Sequence, residues 1–590
     1  MSTPDSAAQA STAPATATEQ AATALDAAFH AALARHSGSM SLASPWLAGL
    51  DWAMHLALSP GKRLALAQLA WQQGEQFARY ATECLMAGPG PARQCIEPPA
   101  RDRRFADPEW LRFPYNLLHQ GFLLNEQWWQ QATHEVWGVE KHHADLVAFG
   151  TRQWLDMFSP GNLLPANPVV LQHTLHEHGM NLLRGASFAQ DDLKRASTHG
   201  PVAGTEAFEV GREVACTPGE VVLQNRLIEL IQYRPTTAQV HPEPVLIVPA
   251  WIMKYYILDL SPENSLIRYL LDQGHTVFCI SWKNPTAAER DLAMDDYIEL
   301  GFEAALQAVQ AICPAQKVHA AGYCLGGTLL SIAAAALARD GRDELASMTL
   351  FAAQTDFSEP GELGLFIDES QLSLLEAQMA QTGTLSAGQM AGAFQMLRSN
   401  DLLWSRLINE YMLGERPAMN DLMAWNADPT RMPARMHSQY LRQLFLNNDL
   451  AANRYRVRGH TVSLTSLRLP VFMVGTVTDH VAPWRSVYKL HHLSPAEISF
   501  VLTNGGHNAG IVSPPGHAHR HYQCLTRSAD GAALSANAWL AQAPQVEGSW
   551  WPAWRDWLGA HSGAPVAPPA LGAPEHPVLY PAPGHYVMEK

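Results

Sequence analysis

The segment Gly322-Tyr323-Cys324-Leu325-Gly326-Gly327 puts a thiol at the centre of a glycine-flanked turn. The apolar run Val318-His319-Ala320-Ala321 leads into it, and an Ala-rich helical stretch from Thr328 to Ala338 follows. This is the G-x-S-x-G nucleophile elbow with cysteine where serine usually sits. Such a turn is tight, and side chains two places either side of the nucleophile would collide with the neighbouring strand and helix. The helix N-terminus then points its free N–H groups at the sulfur, which favours a thiolate. The backbone N–H of Leu325 is placed to donate to an oxyanion. The chemistry implied is nucleophilic acyl transfer.

A free thiol titrates near about 8.5 and needs an adjacent base to be an effective nucleophile at neutral pH. Two later segments supply partners. Val471-Phe472-Met473-Val474 is followed by Gly475-Thr476-Val477-Thr478-Asp479-His480-Val481-Ala482-Pro483, and the run Ile498 to Leu502 by Thr503-Asn504-Gly505-Gly506-His507. Nucleophile, acid and histidine, each at the carboxyl end of a strand, form the order this type of site requires. His507 reads as the base and Asp479 as the group that orients its imidazole. His480 competes only by adjacency and reads as support for the Asp479 loop. The groups His173, His176, His178 and His517, His519, His521 lack a visible converging geometry, so no metal is expected. Gly326-Gly327 is not followed by the Lys-[Ser/Thr] of a phosphate loop, and no cofactor is expected.

Several apolar runs must position these groups. Val245-Leu246-Ile247-Val248, Thr276-Val277-Phe278-Cys279-Ile280, the run before Cys324, Met348-Thr349-Leu350-Phe351 and the two runs above alternate with helical stretches. That pattern predicts a parallel sheet covered on both faces, closing at Ile498–Leu502. Val221–Leu223 and Leu227–Ile231 read as a leading antiparallel pair. Residues 354–469 interrupt the rhythm with helical, Met- and Trp-containing sequence far longer than an ordinary connection, which predicts an inserted cap or lid. Residues 1–25 read as disordered, 26–207 as a mainly helical N-terminal domain, and 208–590 as the catalytic domain. Trp550, Trp551, Trp554 and Trp557 are expected to pack onto that domain.

Composition narrows the class. The chain has 590 residues, 47% of them apolar, and a formal charge of −15, which argues against a protein built to grip nucleic acid. No run reaches about 18 uninterrupted apolar residues, so no membrane span is indicated. The first positive side chain is Arg35, and the seven cysteines are sparse and odd in number, so a reducing cytoplasm is the expected compartment. The residues alone leave open an acyltransferase, a hydrolase on the same scaffold that lets water reach the acyl-enzyme, and a non-catalytic scaffold retaining a decayed fold.

From about Arg104 to Tyr586 the sequence resembles the polyhydroxyalkanoate synthases, most of all the class I, single-subunit kind. The elbow Gly322–Thr328 carries the resemblance, with Lys254-Tyr255-Tyr256-Ile257-Leu258-Asp259-Leu260, Ser281-Trp282-Lys283-Asn284-Pro285 and Asp295-Asp296-Tyr297. So do Asp479-His480-Val481-Ala482-Pro483-Trp484, Gly506-His507-Asn508-Ala509-Gly510 and Gly548-Ser549-Trp550-Trp551. The resemblance implies an α/β-hydrolase fold with a cap, Cys324 as acylated nucleophile, His507 as general base and Asp479 as third member. It further implies an (R)-3-hydroxyacyl-CoA substrate, a growing polyester chain, a homodimer and residence on cytoplasmic polymer granules. The family often shows Pro-Pro-Trp-Ile-Asn-Lys after the first core strand, where this chain has Pro249-Ala250-Trp251-Ile252-Met253-Lys254. That loop is the expected second source of oxyanion N–H groups, at Trp251 and Ile252.

Overall fold

Short runs rich in Val, Ile, Leu and Phe are stable as strands when both sheet faces are covered, and six such runs form the centre of this molecule. The computed structural model describes residues 17–87, 93–99, 102–198, 200–390, 392 and 403–590. The central strands are β3 (Val245–Val248), β4 (Val277–Trp282), β5 (Val318–Tyr323), β6 (Leu345–Phe351), β7 (Val471–Thr476) and β8 (Ile498–Thr503). They pair in parallel in the order β8-β7-β6-β5-β3-β4. Every residue of β3, β4, β5, β7 and β8 is buried. Their carboxyl ends therefore share one edge, where Cys324, Asp479 and His507 follow β5, β7 and β8.

Antiparallel strands extend the sheet on both sides. β1 (Gly219–Gln224) and β2 (Ile228–Tyr233) pair with each other, and β2 pairs with β4. The series does not close at Ile498–Leu502. Beyond β8 lie β9 (His521–Arg527) and β10 (Gln545–Glu547), and at the opposite edge β11 (Tyr580–Pro581) pairs with β1. These strands escape the apolar-run criterion for a physical reason. β9 is only partly buried and carries His521, Gln523, Thr526 and Arg527, while β11 is held by Leu579 and Ala582 donating to Val221 and Gly219 carbonyls at 2.8 and 2.9 Å.

Among the described residues seven α-helices precede the sheet: α1 (Ala17–His36), α2 (Ala43–Ala57), α3 (Pro60–Ala87), α4 (Tyr115–Thr133), α5 (Lys141–Met157), α6 (Pro168–His176) and α7 (Met180–Ser197). The disorder expected for residues 1–25 lies outside the described residues as far as 16. From Ala17 the chain is helical, a correction that follows from its Ala and Leu content and from tertiary packing. Ala31 and Ala34 of α1 are fully buried, and α1 lies along helix Glu369–Thr382.

That second helix belongs to the interval between β6 and β7. Its described part holds helices Glu369–Thr382, Asp421–Asn426 and Ala434–Gln439, the wider-wound turns Leu407–Met412 and Tyr440–Leu446, and a two-stranded ladder pairing Thr384–Leu385 with Met432–Pro433. The interval forms a cap over the strand ends. Helix Trp551–Ala560 packs behind the sheet, with Trp550, Trp551 and Trp554 buried and Trp557 partly so.

Candidate active site

The turn after β5 is built by its glycines. A Cβ on Gly322 would lie 2.4 Å from Gly327 Cα, one on Gly326 2.0 Å from the Val248 carbonyl oxygen, and one on Gly327 2.4 Å from Ala353 Cβ. With those approaches allowed, Cys324 adopts φ 52° and ψ −123°, a conformation a non-glycine residue holds only when its surroundings impose it. Two restraints are visible: Cys324 N–H donates to the Phe351 carbonyl at 2.9 Å, and the Cys324 carbonyl accepts from Gly327 N–H at 2.9 Å. Helix Leu325–Arg339 begins at the next residue, so the Leu325 N–H has no carbonyl four residues back within the helix.

Asp479 is held as a carboxylate by four donors. Its Oδ1 accepts from Val481 N–H at 2.9 Å and Ala482 N–H at 2.8 Å, and its Oδ2 accepts from Thr476 Oγ1 at 2.9 Å. His507 Nδ1 lies 2.8 Å from the same Oδ2. Burial works against the Asp479 charge, but the His507 charge and these hydrogen bonds prevail and lower its pKa. Burial likewise opposes a charged His507. The Asp479 carboxylate and then the Cys324 sulfur overcome it, and hydrogen bonds to both side chains add to the effect, so His507 is raised well above the ordinary histidine value. The arrangement favours an imidazolium between a carboxylate and a sulfur.

The His507 loop is fixed from two directions. Trp550 Nε1 donates to the Gly510 carbonyl and Trp551 Nε1 to the Ile511 carbonyl, each at 3.0 Å. On the other side, Tyr323 Oη donates to Asn508 Oδ1 at 2.6 Å, and Asn508 Nδ2 donates to Asn426 Oδ1 of the cap at 3.2 Å. Asn508 was visible in the sequence only as part of a motif, and nothing local announced that it ties elbow, histidine loop and cap together.

Cys324 opens into a cavity of about 680 Å³ whose walls come from three parts of the chain. The loops after β3, β5 and β7 give Ile252, Leu325, Val481 and Ala482, and the cap gives residues such as Leu375, His437 and Tyr440. Unexpectedly, Ala34 and Arg35 at the end of α1 and Gly38, Ser39 and Met40 of the turn after it also form wall. Of the expected oxyanion loop, Ile252 reaches the cavity while the Trp251 ring packs against Trp282 and Tyr297 at centroid distances of 5.9 and 4.9 Å. Thr430 of the cap clamps this loop, donating Oγ1 to the Trp251 carbonyl at 2.5 Å and N–H to the Ile252 carbonyl at 3.2 Å.

His480 lies elsewhere. It and Thr478 line a separate cleft of about 1020 Å³ between the N-terminal helices and the loop after β7, while Val481 and Ala482 line the cavity of Cys324. Among the described residues no group of three or more His, Cys, Asp or Glu side chains is disposed to hold a metal ion. No described helix is long and apolar enough to cross a membrane.

Comparison with known proteins finds three matches along the chain. Residues 101–270 match the family described as the poly-beta-hydroxybutyrate polymerase N-terminus, 20–62 a second family of poly-beta-hydroxybutyrate polymerase N-terminal segments, and 243–514 the alpha/beta hydrolase fold. A poly(3-hydroxyalkanoate) polymerase of Methylorubrum extorquens is 41% identical over 88% of this chain and 86% of its own. Polymerase subunits of Rhizobium etli and Cupriavidus necator are 38% and 36% identical, over 84% and 94% of this chain and 78% and 93% of theirs.

Proposed function

The chain belongs to the poly(3-hydroxyalkanoate) polymerase family, and from that premise we propose that it polymerises (R)-3-hydroxyacyl-CoA thioesters, 3-hydroxybutyryl-CoA among them, through an acyl thioester on Cys324. The observation that carries this reading is the buried line from Asp479 through His507 to a sulfur held at φ 52° on the elbow. A single-subunit class I enzyme, a homodimer and a place on cytoplasmic polymer granules belong to the same proposal.

The geometry suits each chemical step. Cys324 attacks the thioester carbonyl as a thiolate, with His507 holding the proton. The developing oxyanion is met by the N–H of Leu325 and by N–H groups of the Trp251–Ile252 loop. Collapse expels the CoA thiolate, which takes the proton from His507 as CoA–SH. With that proton gone to CoA the imidazole is left neutral, and the acylated sulfur no longer adds its charge to that of Asp479 in raising His507. The imidazole can then accept the proton of an attacking 3-hydroxyl. That attack forms an oxoester and returns Cys324 as thiolate beside imidazolium. Exchange of one thioester for another keeps the acyl group activated until ester formation, which is the reason for sulfur at this position.

Water competes with the hydroxyl at the second step. Cys324 is 8% exposed, under a cap and against the α1 segment, which supports transfer over hydrolysis. The test is purified protein with (R)-3-hydroxybutyryl-CoA, following CoA release and product together, beside Cys324→Ala. CoA release with insoluble polyester, absent in the variant, is the expected result. Cys324-dependent CoA release with only soluble acid would make the protein a thioesterase, and unchanged polymer from Cys324→Ala would remove Cys324 from the chemistry.

A further inference from the structure

The wall of the Cys324 cavity is mostly hydrocarbon, and several of its polar side chains are engaged elsewhere. Thr328 Oγ1 donates to the Gln354 carbonyl at 2.8 Å. Gln378 Oε1 accepts from Ser39 Oγ at 2.9 Å and from Gln389 Nε2 at 2.8 Å. His437 differs. It stands on the cap helix Ala434–Gln439, is 3% exposed, and lines the cavity with Cys324. Among the described residues of that wall, it alone has a buried side-chain polar atom, Nδ1, without a hydrogen-bond partner. A buried polar atom left unpaired costs stability and is retained where a ligand or water completes it.

Its place in the cavity bears on which ligand that is. Tyr440 follows three residues later, with ring centroids 6.2 Å apart, and lies near enough to Cys324 to feel the charge of its sulfur. His437 therefore sits about one helical turn from a residue beside the nucleophile. A 3-hydroxyacyl group brought to Cys324 carries two polar centres. The reacting carbonyl has the elbow N–H groups. The oxygen on carbon 3 enters a hydrocarbon wall and requires a partner of its own. Resting on the polymerase reading above, we propose that His437 is a specificity-determining residue that hydrogen-bonds the carbon-3 oxygen of the acyl group on Cys324.

A neutral imidazole exists in two tautomers, so the nitrogen that meets the carbon-3 oxygen accepts from a free 3-hydroxyl in one and donates to the same oxygen, once it is esterified in a chain, in the other. Burial keeps His437 neutral, with its pKa lowered to about 4. One residue thus serves both the incoming unit and the growing polyester.

The test compares acylation of Cys324 by (R)-3-hydroxybutyryl-CoA and by butyryl-CoA, which lacks the oxygen, in single turnovers read by peptide mass. The wild type is expected to prefer the hydroxyacyl ester by on the order of tenfold, the discrimination of one buried neutral hydrogen bond. His437→Phe should abolish the preference while acylation by butyryl-CoA persists, and His437→Asn, which keeps a polar atom near the Nδ1 position, should restore part of it. An unchanged preference in His437→Phe overturns the proposal and leaves the nitrogen to a structural water. Equal acylation by both esters in the wild type overturns it while sparing the polymerase reading; no wild-type acylation by either ester removes both. Should the variants fail to fold, a crystal structure of the wild-type acyl-enzyme decides. A carbon-3 oxygen within about 3.2 Å of a His437 nitrogen supports the contact, and any other partner for that oxygen overturns it.

Discussion

Lys254 Nζ donates to the backbone carbonyl of Glu589 at 2.6 Å, joining the loop after β3 to the last described segment of the chain. It also donates to the Tyr586 carbonyl at 3.1 Å, and its own carbonyl accepts from Trp425 Nε1 of the cap at 2.8 Å. Asn284 and Arg431 hold the same segment through the Glu589 carboxylate and the Lys590 carbonyl at 3.0 Å each. Two residues before Lys254 lies Ile252, in the proposed oxyanion loop. The loop after β3, the cap and the last segment thus meet at one buried residue, Lys254.

Replacing Lys254 by Met should therefore loosen the oxyanion loop without touching Cys324. The expected outcome is a loss of kcat on the order of tenfold or more, with alkylation of Cys324 by iodoacetamide within about twofold of wild type. Stability supplies an independent readout. Burial, the largest influence, lowers the Lys254 pKa to about 8, below the unfolded value of about 10.4. The folded protein then binds fewer protons between those values, so this group makes stability rise with pH across that window. Urea denaturation at two pH values, below and within the window, should show the rise in wild type and its reduction in Lys254→Met.

Asp479 and His507 give a pH dependence of opposite limits. The lowered pKa of Asp479 contributes stability that is complete above its unfolded value and is lost as pH falls through the folded value. The raised pKa of His507 contributes stability that is complete below its unfolded value and is lost as pH rises through the folded one. Taken together, the pair contributes fully between about pH 4 and 6.5. Asp479→Asn should be least stable relative to wild type in that window, with the gap narrowing toward alkaline pH in matched urea titrations. It should also lower the His507 pKa, which the pH profile of Cys324 alkylation would report as a shift toward acid.

Gly326→Ala tests the elbow itself. The added methyl would lie 2.0 Å from the Val248 carbonyl oxygen and 2.5 Å from that of Pro249, both backbone atoms that cannot swing aside. The expected cost is in the range of 1–3 kcal/mol, about that of overpacking a buried site, together with near-complete loss of activity. Thermal unfolding and turnover should fall together, whereas Gly341→Ala, where no atom lies within 4 Å of the new Cβ but φ is +70°, should lose stability alone.

The contrast between these sites explains what the sequence could disclose. β3 to β8 were legible because strands buried on both faces need continuous apolar runs, and Cys324, Asp479 and His507 because each stands where such a run stops. Packing produced the rest. β9 is only partly buried and reads as polar sequence, and β11 is two residues beside prolines, so neither shows a run. His437 sits in a helix whose sequence, Ala434 to Gln439, has no motif, and its isolation appears only when the cavity closes around it. Nothing in the sequence singles out Gly38, Ser39 and Ser41. Their role is visible only against the cap helix 330 residues further on, where Gln371 Oε1 meets Ser41 N–H.

That last contact leads to a prediction about access. Gln371 Oε1 accepts from Ser41 N–H at 2.8 Å and its Nε2 donates to the Ser39 carbonyl at 2.5 Å, so one amide grips the backbone of the α1–α2 turn on both sides. Asp368, at the start of the same helix, accepts from Ser44 Oγ. Ala34, Arg35, Gly38, Ser39 and Met40 form cavity wall, and these bonds hold that wall against the cap. Gln371→Leu removes both bonds at Gln371 while filling a similar volume, and leaves two backbone groups to find water. Loosening the turn should open the cavity from this side. Alkylation of Cys324 by a bulky maleimide, mapped by peptide mass against the other six cysteines, is expected to rise severalfold over wild type, while the rate with small iodoacetamide changes little. In the polymerisation assay the same opening should admit water to the acyl-enzyme and divert product from polyester to free 3-hydroxy acid. A variant whose maleimide rate and product ratio both match wild type would show that the α1 segment lines the cavity without controlling entry to it.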